Sequence, residues 1–345
     1  MFQDISVEDL LIRRKNGDLI TVDVRSPSEF RDGTIPGSLN IPFFNDEERA
    51  EIGTLYTRVS VQAAKDRGLE IASAKLPALV KEFQSIGREK GVFCWRGGMR
   101  SRTVSTVLSL MGIRVYRLEG GYRDYRRWTT ACLERMAQRS WPAFVLQGNT
   151  GTGKTSILQA LQAEGYPVAD LEGMAGHRGS IFGGVGMLPH NQKTFDAYLV
   201  ERLESLEHSP WILLEAESRK VGKVIVPEFM MRSKEEGKTI LLELPLEVRA
   251  RHIVTDYRPE VHGEALLAAY RFIKERIHTP IAKDIESKLL SGAYEEAVLL
   301  LLEYYYDPLY AHSEGLYKEE PMVVKAATIE EALDRVRELL PPVVR

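Results

Sequence analysis

Two cysteines, Cys94 and Cys132, are all that this chain of 345 residues contains. So small a supply excludes a disulfide framework and leaves too few thiolates for a structural zinc or iron–sulfur centre. A functional thiol here would act as a nucleophile or as a carrier of sulfur. Long apolar runs are missing too. No stretch approaches the roughly 20 residues that span a bilayer, and the start, MFQDISVEDLLIRRKNGD, alternates acids and bases where a secretory leader would carry an apolar core. These absences predict a cytoplasmic protein with no membrane partner. Nor does one sign of charge dominate: 46 Lys and Arg against 49 Asp and Glu give a net charge of −3, which argues against indiscriminate coating of nucleic acid. A local basic face stays open. Arg114, Arg117, Arg123, Arg126 and Arg127 gather in IRVYRLEGGYRDYRRW, where RNA contact and an ordinary solvated helix surface are both readings.

What is present reads as two α/β domains, each able to bury its own core. Within residues 1–125, LITVDV, GVFCW and RVYRLEGG read as strands, KLPALVKEFQSI as an amphipathic helix, and RTVSTVLSLMG as a helix closed by Gly112. Residues 126–142 form a helical connector, ended before Pro142. From 143 to 345 a second α/β pattern runs through the strands AFVLQ, YPVADL, WILLEAES, TILLELP and PMVVKA, predicting a mostly parallel sheet covered on both faces. Two departures mark this half. GMAGHRGSIFGGVGMLPHN carries six glycines between Gly173 and Gly186 and reads as loop, either flexible or approaching a ligand closely. Residues from about 246 to 313 read as a helical insertion ahead of the last strand.

Two motifs carry chemistry. Cys94 opens CWRGGMRS just before a helix, so its sulfur meets first-turn amides and the guanidinium groups of Arg96 and Arg100. Both lower a thiol below its free value of about 8.5. The Gly97–Gly98 turn would present backbone N–H groups to a tetrahedral anion. Farther along, Gly148, Asn149, Thr150, Gly151, Thr152, Gly153, Lys154 and Thr155 match G-x-x-x-x-G-K-[ST] between a strand and a helix, the context that gives a P-loop its meaning. Lys154 supplies a compact cation for phosphate, and Thr155 can ligate Mg²⁺, with Glu215 at the end of WILLE as the acidic partner. No N-K-x-D follows, which disfavours guanine, and ATP is the default ligand of the motif alone.

The segment DVRSPSEFRDGTIPGSLNIP, the Cys94 loop and the closing EGGY resemble a rhodanese domain, which moves sulfur or selenium on its cysteine. That resemblance makes Asp23 and Arg25 structural supports of the loop. One departure matters: rhodaneses read C-x-x-G-x-R, whereas Cys94 to Arg100 is C-x5-R, widening the cradle toward that of cysteine phosphatases. Phosphatase action and chalcogen transfer from a phosphate-bearing donor are therefore both open, although no acid for a phosphatase leaving group is evident.

A rhodanese-like half followed by the P-loop, DLEGMAGHRGSIFG and EAESRKVG resembles the tRNA 2-selenouridine synthase family over nearly the whole chain. The resemblance implies replacement of sulfur by selenium in the wobble 2-thiouridine of lysine, glutamate and glutamine tRNAs. Two stages are implied: geranylation from geranyl diphosphate, then selenation from selenophosphate, for which a selenophosphate-supplying enzyme is a potential partner. Cys94 would be the selenium carrier in the cradle of Arg96, Gly97, Gly98 and Arg100, and Gly148 to Thr155 would hold the pyrophosphate with Mg²⁺. His177, Arg178, Ser180, Arg219 and Lys220 are candidate contacts to substrate or RNA. Rival readings are an ATP-dependent sulfurtransferase or P-loop kinase, and a P-loop switch that uses the rhodanese fold to bind a partner.

Overall fold

The computed structural model describes residues 1–311 and 320–342. The chain divides into two compact units, Met1–Arg135 with Asp196–Tyr198, and Met136–Phe195 with Leu199–Arg345.

In the first unit β1 (Gln3–Ile5), β2 (Leu19–Asp23), β3 (Leu39–Asn40), β4 (Glu89–Phe93) and β5 (Val115–Leu118) form a sheet in the order β1-β5-β4-β2-β3, parallel throughout. Parallel strands need crossover helices and are buried on both faces, which is why β2 and β4 carry apolar residues at successive positions. The helices are α1 (Val7–Lys15), α2 (Pro27–Arg31), α3 (Asp46–Arg58), α4 (Val61–Gln84), α5 (Met99–Leu110) and α6 (Gly121–Met136). Val22 and Val92 pack with Phe83 and Leu108 on one side, and Leu19, Phe93 and Leu118 pack with Leu10 on the other. Asp23 stands opposite Phe93 in the β2–β4 register, and Val24 N donates to Phe93 O at 3.0 Å. The carboxyl ends of the two strands therefore meet beside Cys94.

Two helices differ from expectation. The helix read over KLPALVKEFQSI is the second half of α4, which starts at Val61 with Ser60 Oγ accepting from Ala63 N at 3.0 Å. Pro77 lies in its interior, and a buried face of Ala64, Ala72, Leu79, Val80 and Phe83 carries the helix across it. The connector helix expected over residues 126–142 stops at Met136. Trp141 is buried instead, its Nε1 donating to the Met136 carbonyl at 3.1 Å and satisfying one of the orphan acceptors of the helix end.

In the second unit β6 (Ala143–Gly148), β7 (Val168–Ala169), β8 (Ile212–Glu215), β11 (Lys238–Glu243) and β12 (Met322–Lys325) form a parallel sheet in the order β12-β11-β6-β8-β7. An antiparallel hairpin that the sequence did not reveal, β9 (Lys220–Val221) with β10 (Val224–Ile225), stands apart from it. The strand read over YPVADL is two residues long, because Asp170 accepts from Gly173 N at 2.7 Å and starts α8 (Leu171–Ala175). The first residues of the Gly-rich segment are thus helical. The other helices around the sheet are α7 (Lys154–Ala163), α9 (Gln192–Ser205), α10 (Glu228–Glu236) and α16 (Ile329–Leu339).

Between β11 and β12 lies the insertion: α11 (Leu246–Tyr257), α12 (Pro259–Arg271), α13 (Thr279–Ser291), α14 (Tyr294–Leu301), a π-helical turn Leu302–Tyr306, and α15 (Asp307–Ala311). Residues 312 and 313 of the expected span lie outside the described residues. The insertion has a core of its own around Leu266, Tyr270, Ile285 and Leu301, into which Phe182 and Val185 of the Gly-rich segment are buried. That anchorage ties the glycine loop to the helices.

Candidate active sites

β4 ends at Phe93 and delivers Cys94, 3% exposed, to the mouth of a tight loop. The loop is fastened from EGGY: Tyr122 N donates to Cys94 O and Arg123 N to Trp95 O, both at 2.9 Å. A Cβ on Gly121 would come within 2.2 Å of Cys94 O and 2.5 Å of Gly97 N, so only glycine allows this approach. Gly98 is the N-cap of α5, whose first turn brings Ser101 to the cysteine. Two polar side chains meet here that sequence spacing alone did not pair. Ser101, fully buried, sets its Oγ 3.2 Å from Cys94 Sγ. Arg117, grouped by sequence with a surface cluster, reaches under the loop from β5, where its Nη1 donates to Gly97 O at 2.8 Å while its other nitrogens hold Asp4. Strand alternation was the one available sign that Arg117 faces differently from its neighbours.

Arg100 is held by Glu29 of α2 in a bidentate pair. Burial alone would raise the Glu29 carboxyl, but the Arg100 hydrogen bonds and charge outweigh it and hold it below its ordinary value. Arg96 is exposed at the rim. Asp23 and Arg25 form a buried ion pair. Arg25 also donates to Gly33 O and lies 4.2 Å over the Tyr122 ring, linking the β2 end to EGGY.

The second site starts where β6 runs into Gly148. Lys154 Nζ donates to Gly148 O at 2.8 Å and to Asn149 O at 3.4 Å, so its ammonium folds back onto the loop's own carbonyls. Burial lowers its pKa against the opposing pull of Glu172, Glu217 and Glu215. Gly151 is left-handed, and a Cβ there would lie 2.9 Å from Arg249 O. That contact brings α11 onto the loop. Arg249, 6% exposed in its side chain, donates from Nε to Thr150 O at 2.9 Å and pairs with Asp307. Asp307 also accepts from Asn149 Nδ2 at 3.2 Å. The insertion thus clamps the P-loop through one carboxylate distant in sequence.

Thr155 Oγ1 donates to Glu172 Oε2 at 2.9 Å, and Glu172 N donates to Glu215 Oε1 at 2.7 Å. Glu172 therefore stands between Thr155 and Glu215, a place that a residue just past a two-residue strand did not advertise. Burial first, then the neighbouring Glu217, pushes the Glu172 carboxyl up to about 8. Glu215 is 1% exposed, is raised chiefly by burial, and leaves Oε2 with no partner among the described residues. Among those residues no group of three or more His, Cys, Asp or Glu side chains could hold a metal by itself. Mg²⁺, which takes one or two carboxylates and completes its shell with phosphates and water, fits the donor set of Thr155 and the adjoining Glu172 with Glu215 behind it.

The remaining candidates divide. His177, Arg178 and Ser180 line the glycine loop. Arg178 is engaged by Val185 O, Asp256 O and the Tyr257 ring, whereas His177 keeps a buried Nδ1 without a partner among the described residues, its pKa lowered by burial. Lys220 is exposed on β9, and Arg219 is exposed beside Glu228 at 3.6 Å. Next to the P-loop a narrow pocket, open at its mouth, is walled almost wholly by apolar atoms of Phe182, Ile253, Leu266, Val298 and Leu301, with Thr150 and Ser180 at its border. No helix among the described residues is long and apolar enough to cross a membrane.

Residues 6–127 match the rhodanese-like domain family, and residues 141–289 match the family described as the tRNA 2-selenouridine synthase AAA domain. Curated relatives named tRNA 2-selenouridine synthase include one from Nitrosomonas europaea, 34% identical over 74% of this chain and 67% of its own. Another, from Hydrogenovibrio crunogenus, is 32% identical over 84% of this chain and 87% of its own. A third, from Proteus mirabilis, is 31% identical over 90% and 92%. With both halves matched in this order, the chain belongs to the tRNA 2-selenouridine synthase family.

Proposed function

We propose that this chain is a tRNA-modifying enzyme that works in two stages, using geranyl diphosphate at the P-loop and selenophosphate at the Cys94 loop to convert 2-thiouridine into 2-selenouridine. Family membership supports the tRNA substrate and the selenouridine product. The observation that carries the geranyl stage is the apolar pocket bordered by Thr150. A nucleobase in such walls would leave its ring nitrogens without partners, at a cost of a few kcal/mol. A ten-carbon chain loses nothing there and gains burial.

In the first stage the thiocarbonyl sulfur attacks C1 of the prenyl chain, the C–O bond breaks, pyrophosphate departs, and the base loses its N3 proton to solvent. Lys154 would exchange its two carbonyl partners for the leaving group, with the loop amides gathering the charge that develops. Mg²⁺, when bound through Thr155, would supply further charge neutralisation. In the second stage selenium replaces the S-geranyl group, with Cys94 as the nucleophile of the rhodanese-like unit and tRNA species of the lysine, glutamate and glutamine type as acceptors. The ATP-dependent rivals require nucleotide hydrolysis during turnover. Lys154→Ala is expected to abolish geranylation of a 2-thiouridine stem-loop while a pre-geranylated stem-loop is still selenated. Normal geranylation by this variant would remove the basis of the P-loop assignment.

A further inference from the structure

The Cys94 loop is built to receive a phosphoryl group, and the electron balance of selenophosphate chemistry points the same way. Selenium in selenophosphate is already at the selenide level, bonded to phosphorus(V). For Cys94 to carry it through an S–Se bond, selenium would have to be oxidised, with a reductant needed later to release it. Nothing in the loop supplies either: Cys132 is buried on α6 with Arg135 Nη2 3.2 Å from its sulfur, and the chain has no third cysteine.

The loop's architecture suits another bond. From Cys94 to Arg100 it is C-x5-R, with Gly98 at the start of α5, and Arg102 is the first residue of the turn whose amide returns to the loop, donating to Gly98 O at 3.0 Å. The amides that precede it, with Arg100 oriented by Glu29, suit the equatorial oxygens of a phosphoryl group in transfer. Ser101 Oγ, 3.2 Å from Sγ and itself buried, can stabilise the thiolate whenever sulfur has to leave. The absence of an evident acid, which counts against an ordinary phosphatase, is no obstacle here, because selenide departs without the protonation an alkoxide needs.

We propose that Cys94 takes the phosphoryl group of selenophosphate, not its selenium, and so releases selenide within reach of the bound nucleoside. The inference rests on the reading above that this loop handles selenophosphate. The Cys94 thiolate attacks phosphorus, an S–P bond forms, and the P–Se bond breaks with its electron pair on selenium. Selenide attacks C2 of the S-geranyl nucleoside, the C–S bond breaks, and geranylthiolate leaves and takes a proton. Water then attacks phosphorus, the S–P bond breaks toward the thiolate held by Ser101, and phosphate departs. Selenium stays at selenide and phosphorus at phosphorus(V) throughout, so no oxidant or reductant enters.

The test is an acid-quenched single turnover of the full chain, anaerobic and free of added thiols, with a pre-geranylated stem-loop and selenophosphate carrying ³²P in one arm and ⁷⁵Se in the other. The expected result is ³²P, and no ⁷⁵Se, on the peptide containing Cys94. Ser101→Ala should raise that ³²P occupancy several-fold by slowing S–P hydrolysis, and Ser101→Thr should restore the wild-type level. ⁷⁵Se on the Cys94 peptide without ³²P, or turnover that stops until a thiol is added, would overturn the proposal. So would the absence of both labels from Ser101→Ala while it still consumes selenophosphate. A wild type that never consumes selenophosphate would instead sink the functional reading of the loop, and this inference with it.

Discussion

Shortening the prenyl donor by one isoprene unit probes the pocket beside the P-loop directly. Dimethylallyl diphosphate keeps the whole diphosphate and loses five carbons. At about 0.8 kcal/mol per buried carbon, the loss is about 4 kcal/mol if those carbons are fully enclosed. The pocket is open at its mouth, so about half of that, near 2 kcal/mol, is the better expectation, equivalent to roughly a 30-fold weaker Kd. Filling the pocket should mimic the loss: Val298→Phe, at a half-buried lining position of α14, should weaken geranyl diphosphate by a similar factor and leave inorganic pyrophosphate unaffected. Isothermal titration of the three ligands against both proteins reads this. Equal affinities of wild type for pyrophosphate and geranyl diphosphate would refute the assignment of the pocket to the chain.

Other outcomes follow from the same geometry. The folded state keeps a proton on Glu172 up to about pH 8, whereas an unfolded chain releases it near 4.5. Unfolding therefore releases a proton in that window, and stability falls as pH rises through it. Without Mg²⁺, Glu172→Gln should gain in Tm over wild type by a margin that grows from pH 6 to pH 8.5; parallel Tm profiles would contradict the shift. Asp307→Ala strips Arg249 of its carboxylate while its side chain stays 6% exposed. A loss of about 3 kcal/mol by denaturant unfolding is expected, the low end for a broken buried pair because Asp307 itself is 30% exposed. Weaker diphosphate binding should accompany it.

Contiguity decided what could be read from the sequence. The P-loop and the cysteine loop each lie within eight residues between a strand and a helix, so the motif and its context were visible together, whereas Asp23 and Arg25 were supports only as the rhodanese resemblance implied. The partners that complete each site come from far along the chain. Asp307 reaches Asn149 and Arg249 from beyond the π-helical turn, and Glu172 meets Thr155 only because Asp170 ends β7 early and turns the chain into α8. Arg117 reads as one arginine of a basic run until β5 aims it under Gly97. The helix ends at Met136 and the start of α4 depended on Trp141 and on a buried face that outweighs Pro77, both of them tertiary effects. Among the candidate contacts to substrate or RNA, the carbonyl partners of Arg178, Val185 and Asp256, carry no side-chain signature in the sequence.

The central claim is that one chain geranylates and then selenates the same uridine, the second step through Cys94. Nucleoside mass spectrometry of a 2-thiouridine stem-loop incubated with geranyl diphosphate and selenophosphate tests it most directly. Wild type should yield 2-selenouridine, and Cys94→Ala should stop at S-geranyl-2-thiouridine. Full selenation by Cys94→Ala, or 2-selenouridine formed without geranyl diphosphate, would contradict the account.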